Sequence, residues 1–340
     1  MKITCLSYND QGFNNRQMYE FPNIINIEVF RGKCSCKCVH CPVGITPKDQ
    51  RRIRFGRKGM DLSLFRKIIN EVSIHPHSTL RIHSVGEPLL WDDLDEALNI
   101  LSNRKVRTWL FTCAITKNLK LLEAICSNIN IIEISLNSTS RNGYKNSKGV
   151  DKFYHVLSNI KYMYNFIQLK KIKTRMIVSR VESFDRKADY EFVKKWKSSG
   201  FVDDAFIRSY HSYNDILKTN KNDILNYKKE PCLVHWKRMN IGVNGDVVVC
   251  FNELFNKNIS QNLVLGNISE QTIESVWKGI KLQMIRIAEL QGDYSGDKFT
   301  NGLPCKKCQY FQSTQTFKHT SEFQVKQWRL INAKNISGKS

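Results

Sequence analysis

Residues 24–42 read "IINIEVFRGKCSCKCVHCP". A β-branched run of the kind that forms a buried strand stops at a glycine, and four cysteines follow within eight residues. Outward from this stretch the strand pattern recurs as "TLRIHSV" (79–85), "VRTWLFT" (106–112), "INIIEISL" (129–136), "KIKTRMIVS" (171–179) and "DAFIRSY" (204–210). Each of the first five is followed by apolar residues at helical spacing. Asp61 is placed to cap a helix carrying Leu62, Phe65, Ile68, Ile69 and Val72. Leu94, Ala97, Leu98 and Leu101 form the next stripe, then Leu119, Leu122, Ile125 and Ile129, then Phe153, Val156, Leu157, Ile160 and Met163. Phe192, Val193 and Trp196 form a fifth, ended by Gly200. Strand and helix alternating in this way predict an α/β chain with a parallel sheet. Six units are too few for a closed eight-fold barrel, which leaves a partial barrel or an open doubly wound sheet. In both, ligands gather at the C-terminal ends of the strands, and the four cysteines lie just beyond the first such end.

The pattern changes after about residue 225. "MNIGVNGDVVVCFNE" (239–253) reads as two short strands around an Asn244-Gly245 turn. "LVLGNIS" (263–269), a helix near 270–290, a Gly/Asp-rich loop (292–302) and "PCKKC" follow. The expected organisation is a barrel domain over 1–225, a smaller domain over 226–315 and a solvated tail over 316–340.

Neither a signal peptide nor an apolar run long enough for a membrane span is present, which predicts a soluble cytoplasmic protein. Eleven cysteines in such a chain argue for metal ligands rather than a disulfide framework. The formal charge is +22, from 53 Lys+Arg against 31 Asp+Glu, which favours anionic partners. The lysines are spread along the chain among Asn and Ile, with no arginine-rich tract and no aromatic ladder, so nucleic acid is not an expected partner.

Cys34, Cys38 and Cys41 have the spacing C-x3-C-x2-C. After a first barrel strand, this spacing resembles the signature of the radical S-adenosylmethionine (radical SAM) superfamily, and His40 sits where that family usually has an aromatic residue. The resemblance implies a partial (β/α)6 TIM-like barrel. It implies three thiolates on a four-iron cube whose fourth iron stays open, chelated by the amino and carboxylate groups of S-adenosylmethionine. One-electron cleavage then yields a 5′-deoxyadenosyl radical. Cys36 reads as a bystander, because the rival set Cys36, Cys38 and Cys41 gives C-x-C-x2-C, which the family does not use. A zinc reading would pair Cys38/Cys41 with Cys305/Cys308 as two C-x2-C knuckles, leaving Cys34, Cys232 and Cys250 without a role.

The second expected strand ends in "SVGEPLL". Gly86, Glu87 and Pro88 match the family's "GGEP"-like stretch, whose backbone and glutamate hold the methionine amino group, with Val85 in place of the first glycine. Ser135 and Asn137, at the end of the fourth, occupy positions where the family often contacts ribose or carboxylate. Arg180 and Arg208, near the ends of the fifth and sixth, are further candidates for that carboxylate or for an anionic substrate; for all four, ordinary local or surface roles are the alternative.

Cys232 and Cys250, linked through Gly245, and the pair Cys305/Cys308 resemble the auxiliary-cluster extension called SPASM, or its shortened form, twitch. "LGNISEQTIESVWKG" (265–279) resembles the "GNI…SI…W" stretch of these extensions. No cysteine follows Cys308, which implies one auxiliary [4Fe-4S] cluster with all four irons ligated. Cys5, Cys113 and Cys126 have no partner in this scheme, although Cys113, after the third strand, is placed to face the site.

The resemblance implies an oxidoreductase. The adenosyl radical would take a hydrogen atom, a base a proton, and the auxiliary cluster the remaining electron, turning an alcohol into a ketone. Only about 23 residues precede the first strand, too few for a leader-binding domain, which favours a small polar metabolite such as a sugar or cyclitol. Peptide or protein modification, including sulfatase-type maturation, is the second enzymatic reading; a structural or redox-sensing metal protein is the non-enzymatic one. An external electron donor such as flavodoxin or ferredoxin is implied.

Overall fold

β1 (Ile24–Arg31) is buried along nearly all of its length. It alternates Ile25, Ile27 and Val29, packed into the main apolar core, with Asn26 and Glu28 on the opposite face. The structure, a computed structural model, describes residues 20–183, 185–208, 210–213, 216–217 and 232–308; Cys5 and the expected tail over 316–340 lie outside them. β2 (Lys58–Gly59) is a two-residue strand antiparallel to β1. β3 (Thr79–Val85), β4 (Arg107–Thr112), β5 (Ile131–Ser135), β6 (Arg175–Val181) and β7 (Asp204–Arg208) follow in chain order. With β1 they form a parallel array β1-β3-β4-β5-β6-β7, the open partial barrel expected from the resemblance. The fifth expected strand starts at Arg175 rather than 171. Lys171 takes a left-handed φ of 51° after the long helix Phe153–Leu169, and the amide of Ile172 still donates to the carbonyl of Ile167 (3.0 Å).

The helices Leu62–Ser73, Leu94–Ser102, Leu119–Asn128, Phe153–Leu169 and Arg186–Lys197 all form where spacing places them. Their apolar stripes join Ile25, Ile27, Leu80, Ile82, Leu110, Ile132, Ile134 and Val178 in one core outside the sheet. Asp61 caps the first, accepting from the amide of Ser63 at 2.8 Å. The spacing gave no sign of the short helices Pro42–Ile45, Lys48–Phe55 and Arg141–Lys148, whose few turns are held by contacts to the cysteine loop rather than by an apolar stripe.

β8 (Arg238–Ile241) and β9 (Asp246–Val248) form the expected hairpin, with Gly245 at a φ of 87° in its turn. β8 pairs parallel to β1, and β10 (Val264–Asn267) pairs antiparallel to β9. The hairpin thus extends the barrel sheet from its β1 edge instead of forming a sheet of its own. This carries the C-terminal cysteines to the flank of the barrel interior. The helix expected near 270–290 is two helices, Ile273–Trp277 and Ile280–Gln291, broken at Gly279.

Candidate metal centre and barrel interior

The cysteine loop leaves the C-terminal end of β1 and is clamped on several sides. Arg51, buried in the helix Lys48–Phe55, donates to the carbonyls of Thr46 (3.0 Å), Cys34 (3.0 Å), Cys36 (3.2 Å) and Gly44 (3.2 Å). The amides of Lys37 and Val39 donate to the carbonyls of Lys148 (2.8 Å) and Ser147 (3.2 Å) at the end of the helix Arg141–Lys148. Gly149 closes that helix at a φ of 63°, and a Cβ there would stand 2.6 Å from the carbonyl oxygen of Lys37. Glycine is what allows the two backbones to meet. Val43, Phe55, Val85, Val248, Leu254 and Phe255 form an apolar cluster against Cys34 and Cys41 that keeps water from this side of the loop.

All ten described cysteines are free thiols. Cys34 shares hydrogen bonds with Cys113 and Cys36, which hold its thiol well below the ordinary value; a hydrogen bond from Cys36 does the same for Cys38. The hydrogen bond with Cys113, then that with Cys34, pushes the Cys36 thiol up, and the bond with Cys34 raises Cys113. Burial, and then the neighbouring Cys38, pushes Cys41 up to about 12. Lys148, 2% exposed, places its ammonium 2.8 Å from the hydroxyl of Ser135. Burial works against its charge, but Cys38 and Cys36 raise it nonetheless. Three thiols on one clamped loop beside a buried cation are a donor set that suits an anionic iron–sulfur cluster.

The Gly86–Pro88 loop packs directly onto this loop. The amide of Gly32 donates to the carbonyl of Val85 (2.8 Å) and that of Glu87 to Lys33 (2.9 Å). A Cβ on Gly86 would lie 2.5 Å from the same Lys33 oxygen. The Glu87 carboxylate is turned inward: it accepts from the hydroxyl of Thr112 and from the amides of Cys113 (2.8 Å) and Leu89 (3.3 Å). Burial, then Cys34, raises its pKa. Its side chain therefore braces the end of β4, and Pro88 opens the 3-10 turn Pro88–Leu90. Ser135, Asn137 and His40 meet at the rim. The Asn137 amide nitrogen reaches the Ser135 hydroxyl (3.0 Å) and His40 Nε2 (3.4 Å), and its oxygen accepts from the amide of Val181 (2.6 Å).

Beneath the rim, the inner face of the sheet is charged. Glu133, fully buried on β5, accepts from Arg208 Nε (2.6 Å) and lies 3.9 Å from Arg81. Burial raises the Glu133 carboxyl, but Arg208 and Arg81 outweigh it and hold it below its ordinary value. Arg81 lies over the Trp109 ring at 5.0 Å, and His83 meets Phe251 edge-on at 4.6 Å. Trp109, Ile131, Ile177 and Phe206 form a small apolar floor.

The four C-terminal cysteines come together on the flank. Cys232 precedes the helix Leu233–Lys237, Cys250 follows β9, and Cys305 lies in the 3-10 turn Pro304–Lys307 that Cys308 closes. Cys305 feels Cys250, Cys232 and Cys308 electrostatically, and burial pushes the thiols up, Cys250 to about 12. Glu289 anchors the back of this group through His235, Trp236 (2.7 Å) and Tyr294 (3.3 Å). Among the described residues, no three His, Cys, Asp or Glu close around a single-ion position.

Residues 232–309 match the family model for SPASM, an iron–sulfur cluster-binding domain. No curated protein sequence matches the chain. Among solved structures, BtrN in complex with AdoMet and 2-DOIA is 19% identical, with a TM-score of 0.51 over 84% of this chain and 92% of that one. Streptococcus suis SuiB bound to precursor peptide SuiA is 15% identical, with a TM-score of 0.58 over 88% and 74%. Native anSMEcpe with bound AdoMet and Cp18Cys peptide is 12% identical, with a TM-score of 0.56 over 92% and 98%. The chain shares the fold of these three proteins, and its C-terminal part carries the SPASM match. The SPASM match begins at Cys232 and takes in Cys250, Cys305 and Cys308.

Within this fold, Cys34, Cys38, Cys41, His40, Gly86, Ser135 and Asn137 gather at the strand ends. Arg180 does not. It sits on the outer face of β6, paired with Asp189 (3.0 Å), donating to the carbonyl of Ala188 (3.0 Å) and lying over Phe192. A strand alternates its faces, and Arg180 shares the parity of Met176 and Val178, which join the helix-side core. Sequence reasoning missed Arg51 and Lys148. It also passed over Arg81, His83 and Glu133, although charged residues inside otherwise apolar strands were a signal that these positions face the interior. No helix among the described residues is long and apolar enough to cross a membrane.

Proposed function

We propose that this chain is a radical SAM oxidoreductase that oxidises a small polar metabolite, a sugar or cyclitol alcohol, inside the barrel. The observation that carries the reading is the clamped loop of Cys34, Cys38 and Cys41 at the mouth of a charged barrel interior, with a second four-thiol group on its flank. When bound, a [4Fe-4S] cluster with one open iron and S-adenosylmethionine supply a 5′-deoxyadenosyl radical that removes a hydrogen atom from substrate. Cys34, Cys38 and Cys41 are the three ligands of that cluster in this reading. Lys148 offsets the negative charge of their thiolates. Ser135, Asn137 and His40, with the backbone of Gly86 and Glu87, border the space for S-adenosylmethionine. Cys232, Cys250, Cys305 and Cys308 hold the auxiliary cluster, which would accept the substrate's second electron. Leu254 and Phe255, shortly after Cys250, belong to the apolar cluster against which Cys34 and Cys41 pack, and Phe251 meets His83 edge-on. The strongly basic chain suits an acidic electron donor of the flavodoxin or ferredoxin kind.

BtrN, the neighbour of highest identity among the three, holds the small molecule 2-DOIA, which supports a small substrate. A second reading, peptide modification, is supported by SuiB and anSMEcpe, whose structures hold peptides and align with higher TM-scores. Anaerobic reconstitution with iron analysis, followed by incubation with S-adenosylmethionine, tests the chemistry: about eight irons per chain and release of 5′-deoxyadenosine are expected. A cyclitol or sugar that loses two hydrogen atoms in mass supports the metabolite reading. A peptide that alone couples to deoxyadenosine release replaces it. Zinc without iron would end both.

A further inference from the structure

The inner face of the sheet holds an unusual concentration of buried polar atoms without partners. Among the described residues, Asn26 Oδ1, Asn240 Nδ2, Arg81 Nε, both ring nitrogens of His83 and Trp109 Nε1 are all buried and make no hydrogen bond. They lie on one patch: Asn26 pairs in register with Asn240 on β8 and Arg81 on β3, and Arg81 with Trp109 on β4. His83 stands two residues further along the same face. Buried polar groups normally find partners, and each left without one needs an explanation.

The chemistry of the patch narrows what fills it. Arg81 Nε, Trp109 Nε1 and Asn240 Nδ2 are donors, and a neutral His83 adds one donor and one acceptor. Against these four donors stand two acceptors, the second being Asn26 Oδ1. Charge leans the same way. Arg81 feels Arg208 and Arg238 as like-charged neighbours, with Glu133 as the one carboxylate opposing them, and its guanidinium is held well below its ordinary value, chiefly by burial. Burial, then Arg81 and Arg238, keeps the His83 imidazole neutral. The nearby Glu28 is already taken up by Arg31, at 2.9 and 2.6 Å. Excess buried positive charge is costly unless something anionic offsets it.

We propose that the barrel interior is an anion-binding subsite in which Arg81, with His83, Trp109 and Asn240, receives a carboxylate or phosphate group of the substrate. This deepens the reading that substrate enters the barrel, and rests on it. Strands rise about 3.3 Å per residue, so Arg81 lies roughly 13 Å below the end of β3 at Val85, and the anion marks the end of the substrate remote from the cysteine loop. Arg208 engages both oxygens of Glu133, while the Nε of Arg81 is left without a partner.

The test uses full-length protein, anaerobically reconstituted, in equilibrium dialysis against inorganic phosphate or malonate at constant ionic strength set by chloride. Saturable binding of at least one is expected, and which of the two binds more tightly distinguishes phosphate from carboxylate. Arg81→Gln should weaken it about tenfold or more, the scale of one charge-assisted contact. If Arg81→Gln fails to retain iron, Trp109→Phe, which removes one donor and keeps the ring, carries the comparison with a several-fold weakening. Iron content and uncoupled 5′-deoxyadenosine release are read on the same samples. Arg81-dependent binding in protein without that release keeps the subsite and removes the radical reading. Absence of saturable binding to the iron-replete protein, or binding unchanged in Arg81→Gln that retains iron (in Trp109→Phe if it does not), overturns the subsite.

Discussion

Replacing Arg51 by methionine keeps a long side chain in the cluster-loop clamp and removes its charge and five N–H donors. Arg51 is 3% exposed, and four backbone carbonyls at 3.0–3.2 Å converge on it, two of them from Cys34 and Cys36. A hydrogen bond to a charged donor contributes about 1.5–3 kcal/mol. Four such bonds sharing one guanidinium do not add, and methionine avoids the guanidinium's desolvation penalty. A net loss of about 3 kcal/mol in holding the loop closed is therefore expected, roughly a 150-fold shift toward an open loop. Because the clamp touches only the N-terminal cysteine loop, the two metal sites should respond differently. Anaerobic reconstitution of Arg51→Met should drop from about eight irons to about four, with deoxyadenosine release lost and the C-terminal site still loaded. Arg51→Lys, with a point charge in place of the planar fork, should fall between the two. Full iron content and wild-type deoxyadenosine release in Arg51→Met would refute the claim that this clamp orders the loop.

Single Cys34→Ala, Cys38→Ala or Cys41→Ala variants should lose S-adenosylmethionine cleavage, while Cys36→Ala should leave it nearly intact; a dead Cys36→Ala would reverse the ligand assignment, and deoxyadenosine release measures both. Lys148→Met removes the buried cation beside Cys34 and Cys38, so the reduction potential of the N-terminal cluster should move to more negative values in spectroelectrochemical titration; an unchanged potential would separate Lys148 from the cluster. Glu133 is held below its ordinary carboxyl value of 4.5 by its arginines, against burial. Its contribution to stability is thus present above that value and lost as the pH falls through its lower folded value. Glu133→Gln should flatten the acid limb of a urea-midpoint against pH profile, and a profile parallel to wild type would contradict the pairing.

Much of the fold is local and so was readable in one dimension. The C-x3-C-x2-C spacing, the caps such as Asp61, and the stripes on five helices depend on neighbours within a turn or two. The Asn244-Gly245 turn likewise needs only its own backbone preferences. The thiols of Cys34, Cys38 and Cys41 are brought together by chain spacing alone, and so were legible as a set. What spacing could not supply is which way a strand residue faces when both faces are buried. Parallel strands under helices are apolar on both sides, so nothing in "RMIVSRV" tells Ser179 from Arg180, yet one faces the interior and the other Phe192. Nor does spacing reveal partners far apart in the chain. Arg51 reaches back to the cysteine loop, Lys148 to Ser135, Arg208 to Glu133 across 75 residues, and Asn240 to Asn26 across 214. The cysteines, their spacing and the alternating strands and helices belong to the sequence by itself. The surroundings of those thiols, and the excess of buried donors facing them, arise only when the sheet brings distant strands into register.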